Sequence, residues 1–283
     1  MRFANLLPQE IAPVDSAQTE LTQRFLLRER EALEEYFLQL RGETDAKLSG
    51  ILGAIADNPY PFGRCEEITS DVAGRMAKYI NHRHHCAEQA IYDFAAAGGI
   101  IRRVWGELRG LYFQNAMQFG GLYVDVANDS VVVSKPKIEI LPLQESGLQS
   151  IRDPEHFASI AQTYWGAAVY ANHAIPALAP LLPMISVRPD GKSRLQSACD
   201  YMIDLMRQDG FRQAENWLRY GPAPNKEIVT AMVERAPFDL RPLTSDGRAE
   251  SIIACRRTRR AGLHRDVHWR NARVADFLRL HAV

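Results

Sequence analysis

The sequence predicts an α+β protein, with helices at both ends around a small antiparallel sheet. Three observations carry this. Apolar residues recur at helical spacing in residues 16–42, 65–80 and much of 148–283. Between about 100 and 141 the runs become short and rich in β-branched and aromatic residues. Gly120-Gly121 and Asn128-Asp129 separate those runs by too few residues for parallel crossovers.

Taken in order, Pro8, Pro13 and Asp15 mark an irregular start, and Ser16 is placed to cap the first helix. Leu21, Phe25, Leu26, Leu33, Phe37 and Leu40 then form an amphipathic stripe ending near Gly42. Its charged residues, Arg24 to Glu35, read as a solvated face. Residues 45–58 read as a second, shorter helix. Asn58-Pro59-Tyr60-Pro61-Phe62-Gly63 is a stiff loop, since each proline fixes φ and biases the residue before it. Ile68, Val72, Met76 and Ile80 define a helix starting at or just before Cys65, expected to pack on strands holding Val104 and Val124. Asn81 to His85 interrupt it, and a helix over about 86–97 stops at Gly98-Gly99.

The middle of the chain predicts a meander of about five strands, drawn from Ile100–Trp105, Leu111–Phe113, Leu122–Val126, Val131–Val133 and Ile138–Leu141. Residues 148–283 read as helical again, starting at Arg152-Asp153-Pro154-Glu155. Ala174 to Val187 holds Pro176, Pro180 and Pro183 and reads as a loop or broken helix. Three regions follow: N-terminal helices 1–58, an α+β core 59–145, and a helical region 146–283 expected to pack on that core.

The 283 residues balance 34 Lys+Arg against 34 Asp+Glu, which argues against a protein that binds nucleic acid or anionic lipid by overall charge. Cys65, Cys86, Cys199 and Cys255 show neither Cys-x-x-Cys nor zinc spacing, so reduced thiols and a cytoplasmic location are expected. Pro8 and Glu10 interrupt the N-terminus before a signal-peptide core, and no apolar run approaches the ~20 residues of a membrane helix. His82, His84 and His85 invite a metal reading. No carboxylate or cysteine completes a ligand set there, so neither metal nor cofactor is expected.

The chemistry concentrates between Tyr60 and Asp129. A cysteine at a helix start gains thiolate character from unpaired backbone N–H groups. It also needs a base in reach and a group to orient that base. Gly63-Arg64-Cys65-Glu66-Glu67-Ile68, Phe113-Gln114-Asn115-Ala116-Met117 and Gly121-Leu122-Tyr123-Val124-Asp125-Val126 follow one another in that order.

Over residues of about 60–130, this order resembles papain-like and transglutaminase-like cysteine proteins. There the cysteine begins a helix packed on an antiparallel sheet, with histidine on one strand and an orienting Asp or Asn on the next. The resemblance implies that Cys65 is the nucleophile, that Asn115 stands at the histidine position, and that Asp125 is the third member. It implies a thiol hydrolase or acyltransferase acting on a protein, peptide or small acyl substrate, or a degenerate relative. Gln114 or Asn115 is then a candidate oxyanion donor.

Asparagine has no titrating nitrogen and cannot serve as general base. Three readings follow. The site binds without turnover; or a histidine such as His156 or His173 enters from downstream; or Cys65 is a buried structural thiol in a binding or scaffold protein.

Two other classes compete. Gly120 to Asp125 also resembles the Gly-Gly-x-Tyr-x-Asp stretch of sugar-nucleotide glycosyltransferases, whose Asp-x-Asp holds a metal. Here Val126-Ala127 follow, and Asp129 comes two positions late. Arg256, Arg257, Arg259, Arg260, Arg265, Arg270 and Arg273, with Trp269 among them, suggest a nucleic-acid module. Pairing with acidic helices such as Glu29–Glu35 is the expected alternative, and nucleic acid is not an expected partner.

Overall fold

The computed structural model describes residues 6–55, 57–196 and 199–281. The chain divides between Ser150 and Ile151 into two compact units. The boundary expected at residue 58 falls inside the first of these units.

The first unit is α+β. Asp15, not Ser16, caps α1 (Ser16–Leu21), its side chain accepting from Gln18 N at 2.9 Å. The chain continues through short π and 3₁₀ turns into α2 (Arg30–Leu48). This helix passes through Gly42 instead of ending there. Its buried residues are Leu33, Tyr36, Phe37, Leu40, Arg41, Thr44 and Leu48, one continuous stripe at helical spacing. The second short helix expected over 45–58 is absent among the described residues. That stretch is the end of α2 followed by turns and an isolated bridge between Ile55 and Asn58. Next come α3 (Cys65–Tyr79) and α4 (Cys86–Ala96), the latter capped by His85 in a capping box with Glu88.

Strands β1 (Ile101–Leu108), β2 (Tyr112–Phe119), β3 (Leu122–Asp125), β4 (Glu139–Pro142) and β5 (Leu148–Gln149) make one antiparallel sheet in the order β4-β3-β2-β1-β5. Val131–Val133 are turn and bend residues, not a strand, because loop 126–137 bends back to close the β3–β4 connection. Phe119 pairs with Leu122 across the Gly120-Gly121 turn. Gly120 has φ of +56°, and a Cβ there would lie 2.5 Å from Thr22 Oγ1 and 2.9 Å from Phe94, so only glycine fits.

The two-residue turn fixes which side chains share a face. Met117, Phe119, Leu122, Val124, Val126, Ile138 and Ile140 join Leu33, Phe37 and Leu40 of α2, Ile68, Val72 and Met76 of α3, and Ile91 and Phe94 of α4 in one core. Val124 therefore packs with α3, as expected from the sequence. Val104 is fully buried but pairs with Ala116 on the opposite face, outside this cluster. On that second face Gln118 accepts from Ala12 N at 2.8 Å and donates to Ala12 O at 2.9 Å, pinning the N-terminal segment.

Arg41 is fully buried and holds three parts of this unit together. It donates to Asp129 at 2.7 and 3.1 Å, to Val126 O at 2.8 Å and to Asp45 at 2.6 Å. Asp45 also accepts from Tyr60 at 2.5 Å and pairs with Lys137. Burial raises the pKa of Asp45, but the hydrogen bonds from Lys137, Tyr60 and Arg41 outweigh it and hold the carboxyl below its ordinary value.

The second unit is mixed, not purely helical. α5 (Pro154–Trp165) starts as the sequence suggests, with Asp153 as cap and Pro154 at the first position, and ends on Gly166 in the left-handed region. Strands β6 (Ala168–Ala171), β7 (Met184–Val187) and β8 (Ser193–Gln196) form an antiparallel sheet that the helical reading of 148–283 did not anticipate. They are four-residue strands, too short for a period to stand out, and β6 is half alanine. Ala174–Pro183 is a buried loop stapled by Asn172, which donates to Leu182 O at 2.9 Å and accepts from Ile175 N at 3.0 Å. Helices α6 (Asp200–Gln208), α7 (Arg212–Tyr220), α8 (Lys226–Arg235), α9 (Gly247–Arg260) and α10 (Val267–His281) complete the unit.

Among the described residues no helix is long and apolar enough to cross a membrane. Replacing Arg41 with alanine leaves the Asp129 carboxylate buried without its partner. The expected cost is about 3–5 kcal/mol of unfolding free energy, read by chemical denaturation.

Candidate functional site

Cys65 is the first residue of α3. Arg64, at the cap position, makes no side-chain cap; it bonds instead to Glu67 at 2.9 Å and to Gly53 O at 2.8 Å. The helix start is held from outside: Gly63, with φ of +69°, donates its N–H to Ser130 O at 2.7 Å. The loop after β3 thus fixes the turn that presents the cysteine.

Asn115 lies on β2, on the face towards α3. Its Nδ2 donates to Cys65 Sγ at 3.5 Å. The Asn115 carbonyl accepts from Thr69 Oγ1 of α3 at 3.0 Å, which locks helix and strand together beside the thiol. Trp105 pairs with Asn115 across the ladder, and its ring stacks on Phe113 with centroids 5.5 Å apart.

Asp125 and Gln114 do not join this pair. β3 alternates Leu122, Val124 and Val126 towards the helices, so Tyr123 and Asp125 face the other way. Asp125 is fully buried there, accepting from Gln114 Nε2 at 2.6 Å, Tyr123 OH at 2.8 Å and Ala127 N at 2.8 Å. The expectation that Asp125 orients a base at the Asn115 position is therefore corrected: the sheet lies between them. Gln114 is corrected likewise, since its amide is engaged on that second face and is not turned to the thiol. The signal was present in the chain, because a two-residue turn pairing Phe119 with Leu122 puts 114 and 125 on one face and 115 on the other.

The thiol is not activated. Cys65 as a residue is half-buried, but its sulfur is packed away from water. Burial pushes its pKa up to about 11; the Asn115 hydrogen bonds lower it only in part, and Asp125 and Glu66 raise it further. Burial likewise pushes Asp125 up to about 6 against its three donors. In this second-face network Gln114 Oε1 is left without a partner.

The histidines of this unit lie at the wrong end of α3. His82, His84 and His85 sit between α3 and α4, and α3 is about 22 Å long at ~1.5 Å per residue. His85 caps α4 and stacks on Tyr36. His156 and His173 belong to the second unit. His173 is buried, with Nε2 2.8 Å from Leu218 O, and burial lowers its pKa.

Among the described residues no group of three His, Cys, Asp or Glu side chains is placed to hold a metal. The late acidic residue of the glycosyltransferase-like reading, Asp129, is taken up by Arg41. Four of the C-terminal arginines find partners within their own unit and not in Glu29–Glu35: Arg256 and Arg259 on Glu215, Arg270 on Asp200 and Arg273 on Asp276. Glu215 bonds Arg219, Arg256 and Arg259, each at 2.8 Å. Burial raises the Glu215 pKa, but those hydrogen bonds outweigh it and bring it to about 2.

A scan against protein-family models, a search of curated proteins and a search of solved structures each returned no match. The site is read from its own geometry.

Two measurements check these electrostatics. A thiol whose pKa rises from 9.0 to about 11 holds about a hundredth of the thiolate at pH 7. Iodoacetamide should therefore modify Cys65 about a hundredfold more slowly than a free thiol, as read by mass spectrometry. For Asp125 the folded protein binds the proton more tightly than the unfolded chain. Its contribution is full below about pH 4 and is lost as pH rises through about 6. Asp125→Asn should remove that loss, gaining up to about 3 kcal/mol relative to the native chain between pH 4 and 8 in denaturant titrations.

Proposed function

We propose that the first unit is a degenerate relative of the papain-like and transglutaminase-like cysteine proteins, one that keeps the thiol, has lost the base, and binds a carbonyl-bearing ligand without turnover. The observation that carries this reading is the Asn115 amide 3.5 Å from Cys65 Sγ. An amide at that distance donates a hydrogen bond but takes no proton from the thiol. The high thiol pKa and the placement of Asp125 on the far face of the sheet support the same reading.

What remains at the site is a set of donors. The uncapped start of α3 directs backbone N–H groups and the positive end of its dipole towards the thiol. Asn115 adds an amide, and Trp105 and Phe113 add a stacked aromatic surface on the same sheet face. Such a set suits the carbonyl oxygen of a peptide or acyl group. It lacks the proton acceptor that turnover of that group requires.

The test is a comparison of the native chain, Cys65→Ala and Asn115→His on a peptide thioester. The native chain and Cys65→Ala are expected to show the same background rate. Asn115→His places an imidazole beside the sulfur and should raise Cys65 alkylation at pH 7 at least about tenfold. Thioester turnover by the native chain that disappears in Cys65→Ala would refute the non-catalytic reading.

A further inference from the structure

We propose that the second unit binds a neutral oligosaccharide in the cleft between α5 and α7. The cleft has a volume of about 870 Å³, and every residue that lines it belongs to this unit. That volume falls in the range of sites that take small molecules.

Two polar stripes line the cleft. On α5, Glu155, Ser159 and Gln162 stand at the i, i+4 and i+7 positions; on α7, Arg212, Asn216 and Tyr220 follow one another four apart. Residues so spaced share one face of a helix. All six are exposed, and Tyr220 keeps 75% of its surface.

The stripes do not satisfy each other. Glu155 forms no ion pair with Arg212 across the cleft, nor with Arg152 one turn before it. Among the described residues the side chains of Ser159, Gln162, Asn216 and Tyr220 have no protein hydrogen-bond partner. Arg212 spends one N–H on Asp209 O at 2.6 Å and keeps the rest of its guanidinium. A single polar stripe is the ordinary solvated side of a surface helix. Here two of them line one cleft, and neither uses up the donors and acceptors of the other.

The chemistry of the lining selects the occupant. Arg152 and Arg212 nearly cancel Asp153, Glu155 and Asp209, so a strongly charged ligand of either sign meets opposing charge. A phosphate is disfavoured further, because both helix starts are already taken. Asp153 accepts from His156 N at 2.7 Å on α5, and Asp209 accepts from Arg212 N at 2.9 Å and Gln213 N at 2.8 Å on α7. An apolar ligand would take water from these side chains and return no hydrogen bonds.

A neutral ligand dense in groups that both donate and accept fits what is left. The Glu155 carboxylate accepts, the two guanidiniums donate, and the amides and hydroxyls do both. A sugar hydroxyl does both as well, and neighbouring hydroxyls match the paired atoms of carboxylate, amide and guanidinium groups. The open ring of Tyr220 supplies an apolar face for the C–H side of a pyranose.

The test uses the full chain on an array of immobilised neutral oligosaccharides built from glucose, galactose, mannose, xylose and N-acetylglucosamine, with sulfated oligosaccharides beside them. A retained neutral oligosaccharide is then titrated in solution by calorimetry against the native chain, Gln162→Leu, Asn216→Leu and Tyr220→Ala. Saturable binding that survives 0.5 M salt is expected, with each variant about tenfold weaker. The three positions are exposed, and an unchanged denaturation midpoint shows that each variant is folded. The proposal is overturned if no neutral oligosaccharide is retained, if the three variants bind like the native chain, or if only sulfated oligosaccharides bind and salt removes them.

Discussion

The first unit depends on one buried guanidinium. Arg41 sits in the middle of a helical stripe whose other members are mostly apolar, with no exposed surface of its own. A charge in that position is tolerable only if nearly every donor is used. Asp129, Asp45 and the Val126 carbonyl supply that, with two structural consequences. Asp129 and Val126 anchor the loop after β3 to α2. Asp45 extends the network to Tyr60 and Lys137. The same loop, through Ser130 O, grips Gly63 and so aims the start of α3. The position of the Cys65 sulfur is thus set at several removes by a residue that never touches it.

That chain of restraint explains why the sulfur is both well placed and unreactive. The turn is held from the α2 side and Asn115 from the α3 side by Thr69, so the thiol is packed between two immobile elements. Packing removes water, and removing water penalises the thiolate more than one amide and a helix start can repay. The carboxylate that would have helped in an enzyme makes matters worse. Asp125 turns to the other face of the sheet, engaged by its own donors, yet its charge still disfavours the thiolate. Its own network of Gln114, Tyr123 and Ala127 N reads as the solution to a buried carboxylate, not as part of a catalytic relay.

The second unit shows the contrasting arrangement. Several of its charges are resolved among themselves, with Glu215 at the hub of three arginines from α7 and α9. The arginine-rich segment that suggested phosphate contacts is therefore in part an internal clamp. The unresolved polarity lies elsewhere on α7, where Trp217 Nε1 and Gln213 Oε1 are buried without hydrogen-bond partners. One helix thus packs with its aliphatic positions, locks with its acidic one and presents amides and aromatics.

The sequence by itself determined the local features. It placed Cys65 at a helix start, Gly120-Gly121 at a hairpin turn, Asp153-Pro154 at the head of a helix and four antiparallel strands near the middle; the strand expected at Val131–Val133 is turn and bend, and β5 beside β1 was not expected. Each is written in a few consecutive residues, whose φ preferences and periodicity act over one or two turns. It also brought Cys65 and Asn115 into one candidate site. Only the tertiary structure decided what that site can do. The thiol pKa depends on atoms from distant segments, and the buried role of Arg41 depends on Asp129, eighty-eight positions along the chain. The β6–β8 sheet was hidden for a related reason. Its strands are four residues long, and what makes them strands is pairing with each other across a proline-rich loop, a long-range hydrogen-bonding fact that no short window of sequence contains.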